Sequence, residues 1–235
     1  LKKYFLFSES MKKIKNKMAY IPDLSGQNWL FPPAIRDLIQ NEDGIAFLVE
    51  GVVESMDFSE LDKKYDGPGH PAYNPRVITK LHVQSAIDSQ RSSRKIEKNA
   101  RVNIVYMYHA GQTTPDFRTI SDFRKDNPKI IEAAFKKTVE LAHNMEITNL
   151  GHLSIDGTIQ KANASNSKTL KREALEAIDK YIKNFIEEGI AMDGEEDAIY
   201  GKGKTGEDLP DDVNTVEKMK AKIKELGEKE NAEDE

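Results

Sequence analysis

The 235-residue chain contains no cysteine, so structural disulfides and thiolate metal sites are both excluded. No apolar run approaches the roughly 20 residues needed to span a bilayer, so no membrane partner is expected. Histidine is sparse. His70, His82, His109, His143 and His152 share no metal-binding spacing such as HExxH, and five unrelated histidines is the preferred reading. The opening stretch LKKYFLFSESMKKIKNK is basic, but its apolar YFLF is too short for a secretory signal. Cytoplasm is the expected location. Residues 1–29 read as an N-terminal arm, partly disordered. Within it, residues 1–17 read as an upstream extension or basic tail, and Met18 opens a more protein-like stretch.

Apolar residues make up 38% of the chain and charged residues 32%, a balance that fits a folded, helix-rich protein and argues against disorder. The net charge of −5 conceals an asymmetry. Residues 76–137 hold 13 Lys and Arg against 6 Asp and Glu, whereas residues 189–235 hold 7 against 15. Polyanion binding is therefore plausible in the first segment and implausible in the second.

Helix signals dominate residues 30–146. In IAFLVEGVVESM, Ile45, Leu48, Val49, Val52 and Met56 recur on one helical face. Asn74-Pro75 supplies a cap and a first-turn proline for a helix whose buried side is Val77, Ile78 and Leu81. Ser92 or Ser93 caps RKIEKNARVN, and Thr114-Pro115 precedes a helix with Phe117, Ile120 and Phe123 inward. Asn127-Pro128 starts the longest helix of this region, with Ile131, Phe135, Ala142 and Met145 on its face. Short loops between these starts predict a compact helical domain.

From Gly151 the pattern changes. HLSIDGTIQKANA alternates with period two, which predicts one or two strands over 147–167. Residues 168–235 return to helix. Leu175, Ile178, Ile182 and Phe185 form one apolar seam and Val216, Met219, Ile223 and Leu226 another. An antiparallel helical hairpin is predicted, joined by the acid-rich loop AMDGEEDAIYGKGKTGEDLPDD. The loop is expected to be solvated, and it lacks EF-hand spacing. The fold class expected is mainly α.

Two features carry chemistry. Arg91, Arg94, Lys95, Lys98 and Arg101 cluster in RSSRKIEKNAR, and Arg118, Arg124 and Lys125 lie in or beside DFRTISDFRK. Such helices suit phosphate contact and helix-turn-helix docking. Charge alone favours an ordinary solvated face, and Glu97, Asp116 and Asp122 dilute the patch. The second feature is Asp156 in LSIDGT. An Asp-Gly hairpin turn is the commonest use of that dipeptide. The DxDGT motif of haloacid-dehalogenase-like phosphotransferases is set aside, because Ser154 replaces the nucleophile. A metal-binding carboxylate on a ribonuclease-H-like strand is the third reading. Spacing does not choose between the turn and the metal ligand.

Three segments occur in an order that resembles the DDE-type insertion-sequence transposases. They are GPGHPAYNPRVITKLHVQSAIDSQRSSRKIEKNARVNIVYMYHAG, TTPDFRTISDFR and LSIDGTIQKANAS, within a similarity running from about Leu30 to Ser167. The resemblance implies a helical, DNA-binding N-terminal domain followed by the start of a ribonuclease-H-like catalytic domain. It implies that Asp156 is the first acid of the triad and a Mg²⁺ ligand. The family's chemistry is hydrolytic nicking at transposon ends, then attack of the freed 3′-hydroxyl on target DNA. DNA is the implied partner, and homo-oligomers are implied for full-length members. No acid after the helical insertion lies on an apolar strand, so the second aspartate and the glutamate of the triad are not identified. The expectation is an N-terminal fragment inactive on its own. The alternative is a DNA-binding-only product that regulates or interferes with a full-length transposase.

Overall fold

The computed structural model describes residues 34–39, 44–64, 72–145, 147, 172–206 and 215–233. The chain divides into a unit of residues 1–34 and a unit of residues 35–235, and only the second is taken up below. Its described part is helical, as expected, and the described residues contain no strand. The strand segment expected over 147–167 falls outside them except for Ile147, and Asp156 lies outside them as well.

Three short or medium helices come first: α1 (Ile35–Leu38), α2 (Gly44–Glu54) and α3 (Ser59–Lys64). The central group is α4 (Pro75–Ile87), α5 (Ser93–Val102), α6 (Ile104–His109), α7 (Phe117–Asp126) and α8 (Pro128–Asn144). Two long helices follow, α9 (Arg172–Tyr200) and α10 (Val216–Glu233).

Local chemistry sets several of these boundaries. Asn74 is the N-cap of α4, its side chain accepting from the Arg76 N–H at 2.9 Å, and Pro75 follows in the first turn. Ser92 caps α5 by accepting from Lys95 N–H. The helix expected from Thr114-Pro115 starts at Phe117, because Asp116 accepts from both Arg118 and Thr119 N–H and is the better cap. Asn127 precedes Pro128 but makes no side-chain cap; its amide donates back to Phe123 O.

α4 is the axis of the domain. Every residue from Ile78 to Ile87 is buried, although the helix carries polar groups. A polar group without water needs an internal partner. Thr79 Oγ1 donates to Pro75 O, Ser85 Oγ donates to His82 O, and Lys80 Nζ reaches Glu54. His82 Nε2 meets Ile120 O at 3.0 Å, and His109 Nε2 meets Gln84 Oε1 at 3.2 Å. Burial holds both imidazoles neutral, pulling His82 well below its ordinary pKa and His109 down to about 3. These two histidines are core residues.

Around α4 the apolar faces close into one large cluster and one small one. The large cluster joins Val49 and Val53 of α2, Ile78 and Ile87 of α4, and Ile131, Phe135 and Val139 of α8. It also takes in Ile178, Ile182, Phe185 and Ile186 of α9. The small cluster joins Leu81, Ile96, Ala100, Tyr106 and Ile120. Met145, expected on the inner face of α8, is exposed at that helix's C-terminal cap.

The participation of α9 differs from the expected hairpin. Its seam residues Ile178, Ile182 and Phe185 are buried against the central helices, and Tyr181 stacks between Phe135 and Phe185 while donating to Ala86 O. On α10, Val216 and Ile223 are exposed. The apolar stripe of α9 therefore finds its partner in the earlier domain, which offers a far larger apolar surface than two heptads of α10. The acid-rich loop expected from Ala191 is also helical as far as Tyr200.

A direct contrast follows. Phe185→Ala is expected to lower unfolding free energy by about 3–5 kcal/mol, and Ile223→Ala by no more than about 0.5 kcal/mol. Urea titrations measure both, and equal effects would contradict this packing.

Candidate nucleic-acid interface

The eight cationic residues singled out from the sequence lie on α5 and α7, or in the turn before α5, and the two helices pack on each other. Their packing is fixed by an acid. Glu97 is buried, accepts from the Phe117 N–H at 3.1 Å and pairs with Arg101. It ties α5 to the start of α7. Asp116 caps α7. Two of the three acids read as diluting the patch are thus structural.

The eight residues separate into two groups. Lys95, Lys98, Arg101, Arg118 and Lys125 are exposed. On α5, Lys95, Lys98 and Arg101 stand three residues apart, which confines them to about a third of the helix circumference. On α7, Arg118 lies over the Phe117 ring and Lys125 sits 3.9 Å from Asp122.

Arg91, Arg94 and Arg124 turn the other way, toward α9. Arg91 pairs with Glu188 and lies over the Phe185 ring. The guanidinium of Arg94 has a side-chain exposure of 5%; it donates to Asp197 at 2.6 Å, to Glu196 at 3.4 Å and to the carbonyls of Lys204 and Gly201. It also stacks 4.2 Å above Phe117. Arg124 is fully buried, with Nη1 3.5 Å from Asp193 Oδ2. Burial lowers its pKa, opposed by the attraction of Asp193 and Glu196.

The acids that receive these arginines carried no functional signal in the sequence. Asp193 is buried and accepts from both the N–H and the Oγ of Ser93, at 2.9 and 2.8 Å. Ser92 Oγ donates to Glu196 at 2.8 Å. Gly189 makes room for the arrangement, since a Cβ there would lie 2.0 Å from Arg124 Nη1. Between α7 and the end of α9 runs a cleft of about 260 Å³ whose charged lining is Arg118, Asp122, Lys125, Asp193, Asp197 and Lys202. Of its acids, Asp193 and Asp197 are engaged with Ser93, Arg94 and Arg124, and Asp122 pairs with Lys125. Among the described residues no three His, Asp or Glu side chains converge as a cation site.

Residues 34–126, which hold α1 through α7 and all eight cations, match the family model of a transposase domain (DUF772). The match supports a transposase family, and a transposase family implies DNA as partner. No curated protein and no solved structure matches the chain. No described helix is long and apolar enough to cross a membrane.

The two groups of cations are separable by substitution. Arg94→Ala removes the guanidinium that Glu196 and Asp197 share and is expected to cost about 3–5 kcal/mol of stability. Lys95→Ala is expected to stay within about 0.5 kcal/mol. Thermal or denaturant unfolding of the two variants checks this, and a neutral Arg94→Ala would contradict the network.

Proposed function

We propose that the chain acts in DNA transposition and that α5 and α7 present its DNA-contacting surface. Lys95, Lys98, Arg101, Arg118 and Lys125 meet backbone phosphates in this reading, and Arg91, Arg94 and Arg124 hold the surface in shape from behind. The observation that carries the proposal is the transposase-domain match over 34–126, the same stretch in which five cations are exposed on two helices packed together. Phosphate contacts of this kind position a protein on DNA and make binding salt-dependent.

Within the same reading, Asp156 supplies one carboxylate of a DDE-type, Mg²⁺-dependent cleavage and strand-transfer site in a ribonuclease-H-like domain. The acids of α9 are not offered as its companions, because Asp193, Glu196 and Asp197 are committed to α5 and α7. A second reading is a product that binds DNA without cutting it. A nicking assay on element-end DNA with Mg²⁺ separates the two. Nicking abolished by Asp156→Asn supports the enzyme, and binding without nicking supports the binding-only product.

The shared claim is tested by binding to element-end duplex across a salt series. Lys95→Ala, Arg118→Ala and Lys125→Ala together should weaken binding and reduce the slope of log K against log salt by about 0.9 for each phosphate that is no longer neutralised. A slope equal to that of the parent protein, at equal thermal stability, would remove α5 and α7 from the interface.

A further inference from the structure

The donors that α5 and α7 direct at the end of α9 are those that proteins use to hold phosphate. Ser93 offers a first-turn N–H and a hydroxyl, Ser92 offers a second hydroxyl, and Arg94 offers a guanidinium. The N-terminus of α5, a helix of 10 residues, adds its dipole. Arg124 stands behind them, fully buried, with Nη1 at the Asp193 carboxylate and with Nε and Nη2 lacking any hydrogen-bond partner. A buried guanidinium normally uses all its donors. Here the Asp193 carboxylate meets one donor of the guanidinium and leaves the other two nitrogens unpaired.

The way α9 is held changes along its length. From Ala174 to Ile186 it contributes to the large apolar cluster, and Ile190 is the last of its apolar side chains to pack there. Beyond that point Ile199 and Tyr200 are exposed, and the contacts made by Asp193, Glu196 and Asp197 are polar or ionic. Gly194 lies in this second half with open space around it, and a glycine there weakens a helix interior by roughly 0.5–1 kcal/mol relative to alanine. Apolar burial keeps the first half in place, whereas polar and ionic contacts hold the second half. Local opening of such a segment requires much less free energy than global unfolding.

We infer that Ser92, Ser93, Arg94 and Arg124 form an anion site for a DNA backbone phosphate, and that Asp193, Glu196 and Asp197 occupy it as an intramolecular substitute. The inference rests on the proposed DNA-binding role for its partner. When duplex DNA engages α5 and α7, a phosphate displaces the acidic end of α9, so the unliganded protein holds back part of its cationic surface. The expected consequence is an apparent affinity reduced by the fraction of molecules in which the end of α9 is docked.

Three measurements on the full chain test this. First, Asp193→Asn/Glu196→Gln/Asp197→Asn should bind element-end duplex at least about tenfold more tightly than the parent, with a salt slope steeper by the equivalent of one to two phosphates. A control that neutralises the exposed Glu173, Glu176 and Glu187 on the same helix should gain no more than about threefold. Equal gains would overturn the inference while leaving the proposed function intact. Second, hydrogen exchange on the unmodified protein should show residues 190–200 exchanging faster at saturating DNA, with 175–187 still protected. Unchanged or slower exchange over 190–200 would overturn it, and this arm does not depend on any variant folding. Third, inorganic phosphate at constant ionic strength should raise the Tm of the triple variant but not of the parent. That arm holds even if the protein fails to bind DNA, in which case the proposed function falls and the anion site stands. No phosphate effect on a folded triple variant would overturn the site itself.

Discussion

The carboxylate of Asp193 sits against the first turn of α5 with the guanidinium of Arg124 beside it, and the bare backbone of Gly189 leaves space for that guanidinium. Most of the arrangement around the cationic surface depends on this contact. It joins residues a hundred positions apart, Ser93 and Asp193, and brings a late helix onto an early domain. It neutralises a buried arginine that would otherwise carry a severe desolvation penalty. It also brings Glu196 and Asp197 within reach of Arg94, so that one carboxylate's position organises a cluster of arginines.

The consequence for function is a sorting of cations. A count of basic residues over 76–137 treats Arg94 and Lys95 alike, yet they are neighbours with opposite fates. Lys95 is exposed, while Arg94 is buried over Phe117 and hydrogen-bonded to Asp197 near the end of α9. Arginine suits the internal role because its planar fork serves several acceptors and stacks on an aromatic ring at the same time. The outer group is exposed on two helices that Glu97 ties together.

Much of the helical architecture was legible from local signals. Asn74-Pro75 and Ser92 act as caps because a side-chain oxygen two or three residues ahead of an unpaired N–H needs no tertiary help. Phe117, Ile120 and Phe123 are buried as their spacing indicated. What escaped was long-range. Residues 191–200 read as a solvated loop because glycine and four acids look that way without their partners, which lie on α5 and α7. The two seams read as a hairpin because each matched the other in period, and nothing in that period reveals the apolar surface of α4 and α8 that α9 covers instead. Arg94 and Arg124 read as surface cations for the same reason. The transposase resemblance came from ordered motifs, and its coarse form is supported by the match over 34–126. Asp156 falls outside the described residues, so its role stays with the proposal.

The most direct test of the contact on which this account rests is a double-mutant cycle between Arg124 and Asp193. Unfolding free energies of Arg124→Met, Asp193→Asn and the double variant give the coupling between the two side chains. The account predicts a favourable coupling of at least about 1 kcal/mol, as expected for buried partners in one network. Additivity within about 0.5 kcal/mol would mean that the two residues do not sense each other and that the end of α9 is held by something else.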